Sequence, residues 1–303
     1  MDAWWLRRTY RKKLLNIFDS DIFMKDTLYI IGNGFDLHHD LNTSYLNFRN
    51  YCVRNAPSLW KNLSEIYGDK IDHDMWWSDF ENKLGSINYT SLALSHNGLA
   101  MGGQKVQNLF KGMLPPLFGK WIIQIRRRPQ MDKNLNIDTE SLFFTFNYTL
   151  VLEEVYHVDE NNIWHIHNSV KNSDDIIIGH DSDERKLCST FLSNKTSDFV
   201  SNDFADKVNS KIAQGAKKVK MRIENQEGRF RSLYSQIKHI VIMGFSFNEI
   251  DMPYIKAIIE ANKNIADVDW TIYFHSKGED KIFVGKLLQI GIDSSLINAP
   301  INW

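Results

Sequence analysis

The stretch Leu28 to Asp36, LYIIGNGFD, runs an apolar strand straight into a Gly-Asn-Gly turn, and a carboxylate follows two residues later. It reads as a nucleotide-binding crossing point. Without a Cβ at Gly32 or Gly34, the turn Gly32, Asn33, Gly34 can bend tightly and bring backbone N–H groups close to a ligand phosphate. Asp36 then stands where a ribose hydroxyl can be bound. The third glycine of G-x-G-x-x-G is absent, Leu37 being at that place, so the turn is a fragment of the dinucleotide fingerprint. A tight strand-to-helix turn without a ligand fits the same residues.

Working outward, the 303 residues suffice for one large α/β unit with an insertion. Hydrophobic content of 43%, charged content of 24% and a formal net charge of -1 place the chain in the ordinary globular class. No global basic field argues for nucleic acid. The densest local patch, Arg126-Arg127-Arg128, reads as the solvated end of a helix that begins near Leu117. Cys52 and Cys188 are far apart, so they build no zinc ribbon, and two thiols in a chain of this length fit a reducing, cytoplasmic compartment. No apolar run is long enough to span a membrane.

Residues 1–25 are basic with scattered apolar positions such as Trp4, Trp5 and Phe18, and charges interrupt every apolar stretch. They do not form a secretory signal. The expectation is a basic leader or an N-terminal helix packed on the rest, with Met24 as an alternative start ahead of a complete unit from residue 26.

Thr27 to Ile31 has the pattern of a buried parallel strand. Apolar positions at Tyr45, Phe48, Tyr51 and Cys52 predict a helix capped by Thr43 or Ser44. From about 56 to 130 the texture is helical, with WSDFENKLGSI, GLAMGG and MLPPLFG and no convincing strand, which predicts a mostly helical insertion over the site. Its Trp76, Trp77 and Phe80 read as core rather than as ligand stackers. Further strands are expected at Ser141–Phe146, Ile163–Ile166, Asp175–Ile178, His239–Met243 and Trp270–His275, with helices at Asp251–Ala261 and Gly278–Leu288 and surface helices and loops over 183–236. Strands alternating with helices indicate a parallel α/β sheet. In such sheets ligands bind outside the carboxyl ends of the strands, where Asn147, His167, His180 and Gly244 would converge.

The segments IIGNGFDLHHDLNTSYLNF (30–48), WWSDFENKL (76–84), FTFNYTLVLEEVY (144–156), IWHIHNSV (163–170), IIIGH (176–180) and GFSFNEIDMPYI (244–255) together resemble the bacteriophage abortive infection AbiH family. A more distant likeness is to sirtuins and sirtuin-like NAD hydrolases. Their first glycine turn resembles GNGFD, their strand ending in Thr-x-Asn resembles Thr145-Phe146-Asn147, their His-Gly resembles His167-Asn168, and their Gly-x-Ser-Leu resembles Gly244-Phe245-Ser246-Phe247. The resemblance implies a Rossmann-like, sirtuin-like sheet. It also implies an NAD pocket with Gly32, Asn33, Gly34, Asp36, Gly244 and Ser246 against the dinucleotide, and Asn147 and His167 as the catalytic pair. Asn168 replaces glycine after the histidine, Asp40-Leu41-Asn42 stands where these families often show Gly-Leu-Pro, and the sirtuin zinc module is missing. That last departure speaks against protein deacylation.

Cleaving nicotinamide from ribose passes through a transition state with oxocarbenium character, and the leaving group departs neutral. The site must stabilise positive charge and position a nucleophile. An asparagine amide holds a water or ribose hydroxyl through its oxygen and NH₂ together, which suits Asn147. A histidine at the rim takes a proton from hydroxyl or water. His167 is preferred over His165 because it is nearer the strand's carboxyl end. His38, His39 and Glu81 are within chain reach of the pocket, and Asp251 reads first as a helix N-cap. The expectation is therefore an anti-phage effector that takes NAD as substrate and hydrolyses it to nicotinamide and ADP-ribose, without a metal. The alternative is a non-enzymatic nucleotide-binding sensor or partner module of a phage-defence system. Expected partners are the dinucleotide, a phage-derived trigger or partner protein, and a second copy of the chain.

Overall fold

Five largely apolar runs and one two-residue edge segment line up as six parallel strands in the computed structural model, which describes residues 25–94, 98–125, 133–181, 202–274 and 278–300. They are β1 (Thr27–Ile31), β2 (Leu142–Thr145), β3 (Ile163–His165), β4 (His239–Met243), β5 (Asp269–Tyr273) and β6 (Ile297–Asn298). The sheet order is β3-β2-β1-β4-β5-β6. Every neighbouring pair is parallel, with Ile31 of β1 level with Thr145 of β2 and Met243 of β4. Between β1 and β4 the chain switches from building one half of the sheet to building the other, the place where such sheets open a crevice.

Between β1 and β2 come α1 (Asn33–His38), α2 (Tyr45–Asn55), α3 (Pro57–Tyr67), α4 (Asp74–Ser78), α5 (Phe80–Leu84), α6 (Tyr89–Leu94), α7 (Gly98–Gln107) and α8 (Leu114–Ile125). The short α9 (Val151–Glu154) leads from β2 to β3, and α10 (Asn202–Ile212), α11 (Val219–Asn225) and α12 (Glu227–Tyr234) precede β4. Finally α13 (Met252–Ala261) joins β4 to β5, and α14 (Glu279–Gln289) joins β5 to β6.

Alternation along each strand builds two cores. Leu28, Ile30, Phe144, Ile240, Ile242 and Trp270 pack with α11 to α14 on one face. Tyr29, Ile31, Phe143 and Met243 pack with Phe35 of α1 and Val151 and Leu152 of α9 on the other. Right-handed crossovers require the connections of the two half-sheets to lie on opposite faces, and they do. Both faces being covered explains why the strands read as continuous apolar runs.

A third core lies away from the sheet and is built mainly by helices. Phe48 and Cys52 of α2, Leu59 and Leu63 of α3, Trp76 and Trp77 of α4, Phe80 of α5 and Phe118 and Trp121 of α8 form it. Phe48 is ringed by Trp77, Phe80, Phe118 and Trp121, so the tryptophans of the WWSDF segment are core. Ser44 caps α2 by accepting from the Asn47 N–H at 3.2 Å. Phe204, Ala205 and Val208 of α10 complete this core, which therefore draws on α2 and α10 beyond the expected 56–130 segment. The charged stretch 202–236 is thus no mere surface: Phe230 and Tyr234 of α12 are likewise buried, under the sheet.

The expected strand at Asp175–Ile178 is not one. Asp175 ends a 3₁₀ turn, Val170–Asp175, and the next residues form no ladder. Ile176 and Ile178 turn their side chains into the helical core, and Ile177 donates one N–H to the His167 carbonyl. An apolar β-branched run becomes a strand only where a neighbour offers a ladder, and here the chain has passed the sheet edge. The leader at 1–25 with Met24, the arginine run and Cys188 lie outside the described residues, apart from Lys25. No helix among the described residues is long and apolar enough to cross a membrane.

Candidate functional site

The turns after β1 and β4 meet backbone to backbone. Gly32 N–H donates to the Met243 carbonyl at 3.0 Å and Gly34 N–H to the Gly244 carbonyl at 2.9 Å. A Cβ on Gly34 would lie 2.6 Å from Gly244 Cα, and one on Gly32 would lie 2.5 Å from the Gly244 oxygen. Gly244 itself adopts φ +64°. The close approach that these glycines permit is thus first an approach of strand end to strand end, and two of their N–H groups are committed to it.

Over this junction opens a cavity of about 510 Å³. Gly32, Asn33, Gly34, Asp36, Asn147, His167, Gly244 and Ser246 all border it, together with Tyr45, Glu81, Tyr148 and Asp251. The sheet supplies the floor from the ends of β1, β2 and β4, and the helices α2, α5 and α8 supply the roof.

Asp36 is buried in α1 with Thr149 Oγ1 at 2.9 and 2.8 Å from its two oxygens and Asn147 Nδ2 at 3.0 Å from Oδ1. Burial pushes its carboxyl up to about 7, against the pull of those two hydrogen bonds. It is a brace between the β1 turn and the β2 exit. Asn147 donates from the same NH₂ to the Gly32 carbonyl at 3.1 Å. Both amide hydrogens are therefore spent on protein, and only Oδ1, buried without a partner, is left to offer a ligand. No helix is capped by Asn147, since α9 begins at Val151.

His167 is 2% exposed and framed by the rings of Phe146, Tyr148 and Tyr254. Burial, and then the charges of Lys217 and Arg222, hold its pKa well below the ordinary histidine value, so it is neutral at pH 7. Its Nε2 has no hydrogen bond and faces Asp251 Oδ1 at 3.8 Å. Asp251 occupies the N-cap position of α13 but makes no side-chain cap bond. Its Oδ1 is buried and unpaired by hydrogen bonds, and burial raises its pKa while the positive charge of Lys217 opposes the rise.

Other residues singled out from the sequence face elsewhere. His165 meets the Asn147 carbonyl at 2.8 Å and Glu153 at 3.1 Å. The ring of His38 reaches the Lys133 carbonyl, and that of His39 lies between the Phe35 carbonyl and the Tyr156 hydroxyl. His180 is fully buried, with Nε2 3.0 Å from the Ile212 carbonyl. Asn168, in place of glycine, has φ +62°, and Asp40 has φ +57°. Both are left-handed positions, which Asn and Asp tolerate better than other side-chain-bearing residues. At both positions the backbone takes a path also open to glycine, and Asn168 adds a bond from Nδ2 to the Asp175 carbonyl at 2.8 Å.

Sequence reasoning missed Lys217. It is 2% exposed, its Nζ lies 2.8 Å from both oxygens of Glu81, and Asp251 Oδ1 is 3.8 Å away. Only its neighbours distinguish it, because Lys218 and Lys220 in the same KKVK run are exposed.

The model of the family described as bacteriophage abortive infection AbiH matches residues 28–274, from the first residues of β1 to the end of β5. The chain belongs to the AbiH family. A comparison with curated proteins finds no match. Membership links the chain to phage abortive infection, and the AbiH match spans every residue placed around the cavity except Glu279 and Phe283.

Proposed function

We propose that the cavity of this AbiH protein binds an NAD-type dinucleotide and that the protein hydrolyses it to nicotinamide and ADP-ribose as the effector step of abortive infection. The observation that carries the reading is the set of buried polar atoms without partners around one cavity: Asn147 Oδ1, His167 Nε2 and Asp251 Oδ1. Leaving such an atom unsatisfied costs roughly 1–3 kcal/mol each, a cost relieved where a polar ligand completes the bonds. The cavity opens at the carboxyl ends of the strands at the switch between β1 and β4, where α/β sheets hold nucleotides. Its volume of about 510 Å³ lies within the range of small-molecule sites, about 300–1,000 Å³.

In this reading Asn147 Oδ1 accepts a hydrogen bond from the attacking water or a ribose hydroxyl. Neutral His167 is in the protonation state that accepts a proton. The carboxylates of Glu81 and Asp251 face the positive charge that develops on the ribose. A second reading, a nucleotide sensor without catalysis, is favoured by the depressed basicity of His167, which makes it a weak proton acceptor. Glu81, which comes from the helical layer, would then pass occupancy to α5.

The test is nicotinamide release from NAD by the purified full chain, beside calorimetric NAD binding, for wild type, Asn147→Ala and His167→Ala. Hydrolysis predicts release by the wild type and its loss in both variants while circular dichroism stays native. Binding with no release by the wild type, weakened by either substitution, would favour the sensor.

A further inference from the structure

Lys217 has no part in the chemistry described so far, yet it is the buried cation of the site. Its ammonium sits 2.8 Å from the Glu81 carboxylate and 3.8 Å from Asp251 Oδ1, and that same oxygen lies 3.8 Å from His167 Nε2. A buried ion pair adds little stability over well-packed apolar residues, because both charges must leave water. Its position, 3.8 Å from a carboxylate oxygen that makes no hydrogen bond and that itself faces an imidazole nitrogen without one, calls for another reason.

We propose that Asp251 and Lys217 are positioning residues of the hydrolysis. Asp251 is the counter-charge to His167 as the imidazole takes up a proton, and Lys217, anchored on Glu81, sets a positive charge 3.8 Å from the same Asp251 oxygen that faces His167. This rests on the hydrolase reading above. In the step, a water oxygen bonds to the anomeric carbon of the nicotinamide ribose. The bond from that carbon to the ring nitrogen breaks, and its electron pair neutralises the pyridinium. The water proton passes to His167, whose imidazolium faces Asp251 before the proton leaves to solvent.

The charged and titratable groups around Asp251 are consistent with this division. From the sheet side it faces His167, and from the helical layer Glu81 and the hydroxyl of Tyr45. Lys217 precedes α11, Asp181 follows the 176–179 segment, and Tyr148 and Tyr254 complete the ring. Arg222 of α11 donates from Nε to the Lys217 carbonyl at 2.7 Å and so fixes the backbone that carries the lysine. Of these, Lys217 is the positive charge acting directly on Asp251, and its effect there exceeds that of Glu81.

The experiment uses the full chain and two readouts. The Asp251 carboxyl is followed by carbon-13 NMR against pH, its signal assigned by loss in Asp251→Asn. Lys217→Met should move the titration to higher pH by about one unit or more, because an opposite charge at this range is worth about that much. Lys217→Arg should restore it. If Lys217→Met does not fold, Lys217→Met with Glu81→Gln removes both members of the pair and should shift the midpoint in the same direction.

Nicotinamide release is measured in parallel. Asp251→Asn should lower kcat by roughly 10²-fold, in the range of acid–base assistance, with KM little changed. In Lys217→Met the acid limb of the rate should move to higher pH. A carboxyl titration unmoved by loss of Lys217, or a kcat unaffected in Asp251→Asn, overturns the proposal. Wild type that releases no nicotinamide while the titration moves as expected overturns the hydrolase reading and the catalytic half of this one, leaving the Lys217–Asp251 linkage standing.

Discussion

The glycines of the LYIIGNGFD turn do their first work against Gly244. Gly34→Ala would bring a Cβ to 2.6 Å from Gly244 Cα, backbone that cannot swing aside. The expected loss is ~1–3 kcal/mol of stability, the cost of overpacking, read as a lower urea midpoint with an unchanged slope. At Asn168, φ +62° makes the opposite forecast. Asn168→Gly should leave nicotinamide release intact, whereas Asn168→Ala should cost about 1–2 kcal/mol for a left-handed alanine, measured by the same unfolding curve. Asp36 adds a pH dependence. The unfolded chain releases this proton at about pH 4, and the folded chain holds it to about 7. Its contribution to stability is therefore fully present below about pH 4 and is lost as pH rises through about 7. Asp36→Asn should remove this contribution from urea unfolding between about pH 4 and about 7.5, where Asp251 acts in the same direction and the buried neutral His167 and His39 in the opposite one; a pH dependence unchanged in Asp36→Asn would contradict the assignment. What the sequence hid at this scale is burial. Nothing in AKKVK separates Lys217 from its exposed neighbours, and nothing in FNYT shows that Asn147 spends its NH₂ on Gly32 and Asp36.

Among the elements, the strands were the most legible because both sheet faces are covered, so β1, β2, β3, β4 and β5 read as apolar runs that stop at glycine or polar residues. The same signal misled at 175–178, where Ile176 and Ile178 serve the helical core and no ladder partner stands among the described residues. The two-residue β6 carries too little pattern to be read. Convergence of polar residues at the strand ends was also legible, since topology alone puts those ends on one rim. The contribution of α5 and of the chain before α11 was not, because Glu81 and Lys217 are 136 positions apart and neither lies at a motif spacing. Their pair fastens the helical layer to that segment. Losing one partner, as in Lys217→Met, leaves a buried charge and should cost about 3–5 kcal/mol. The double variant Glu81→Met with Lys217→Met should cost less than the sum of the single variants in a chemical-unfolding cycle, and strict additivity would contradict a direct pair.

At the scale of the molecule, the sheet floor and the helical roof each have a core of their own and meet around the cavity. The roof brings Tyr45 and Glu81 over a floor that carries Asn147 and His167 at the sheet ends, so a ligand in the cavity would touch both layers. For an AbiH protein this joins the family's link to abortive infection with the dinucleotide pocket proposed above. The most direct measurement is the NAD level in cells that express the wild type or His167→Ala, with and without phage. The account predicts that NAD falls in infected cells carrying the wild type and holds in those carrying His167→Ala. Protection against phage that persists with NAD level in both would contradict it.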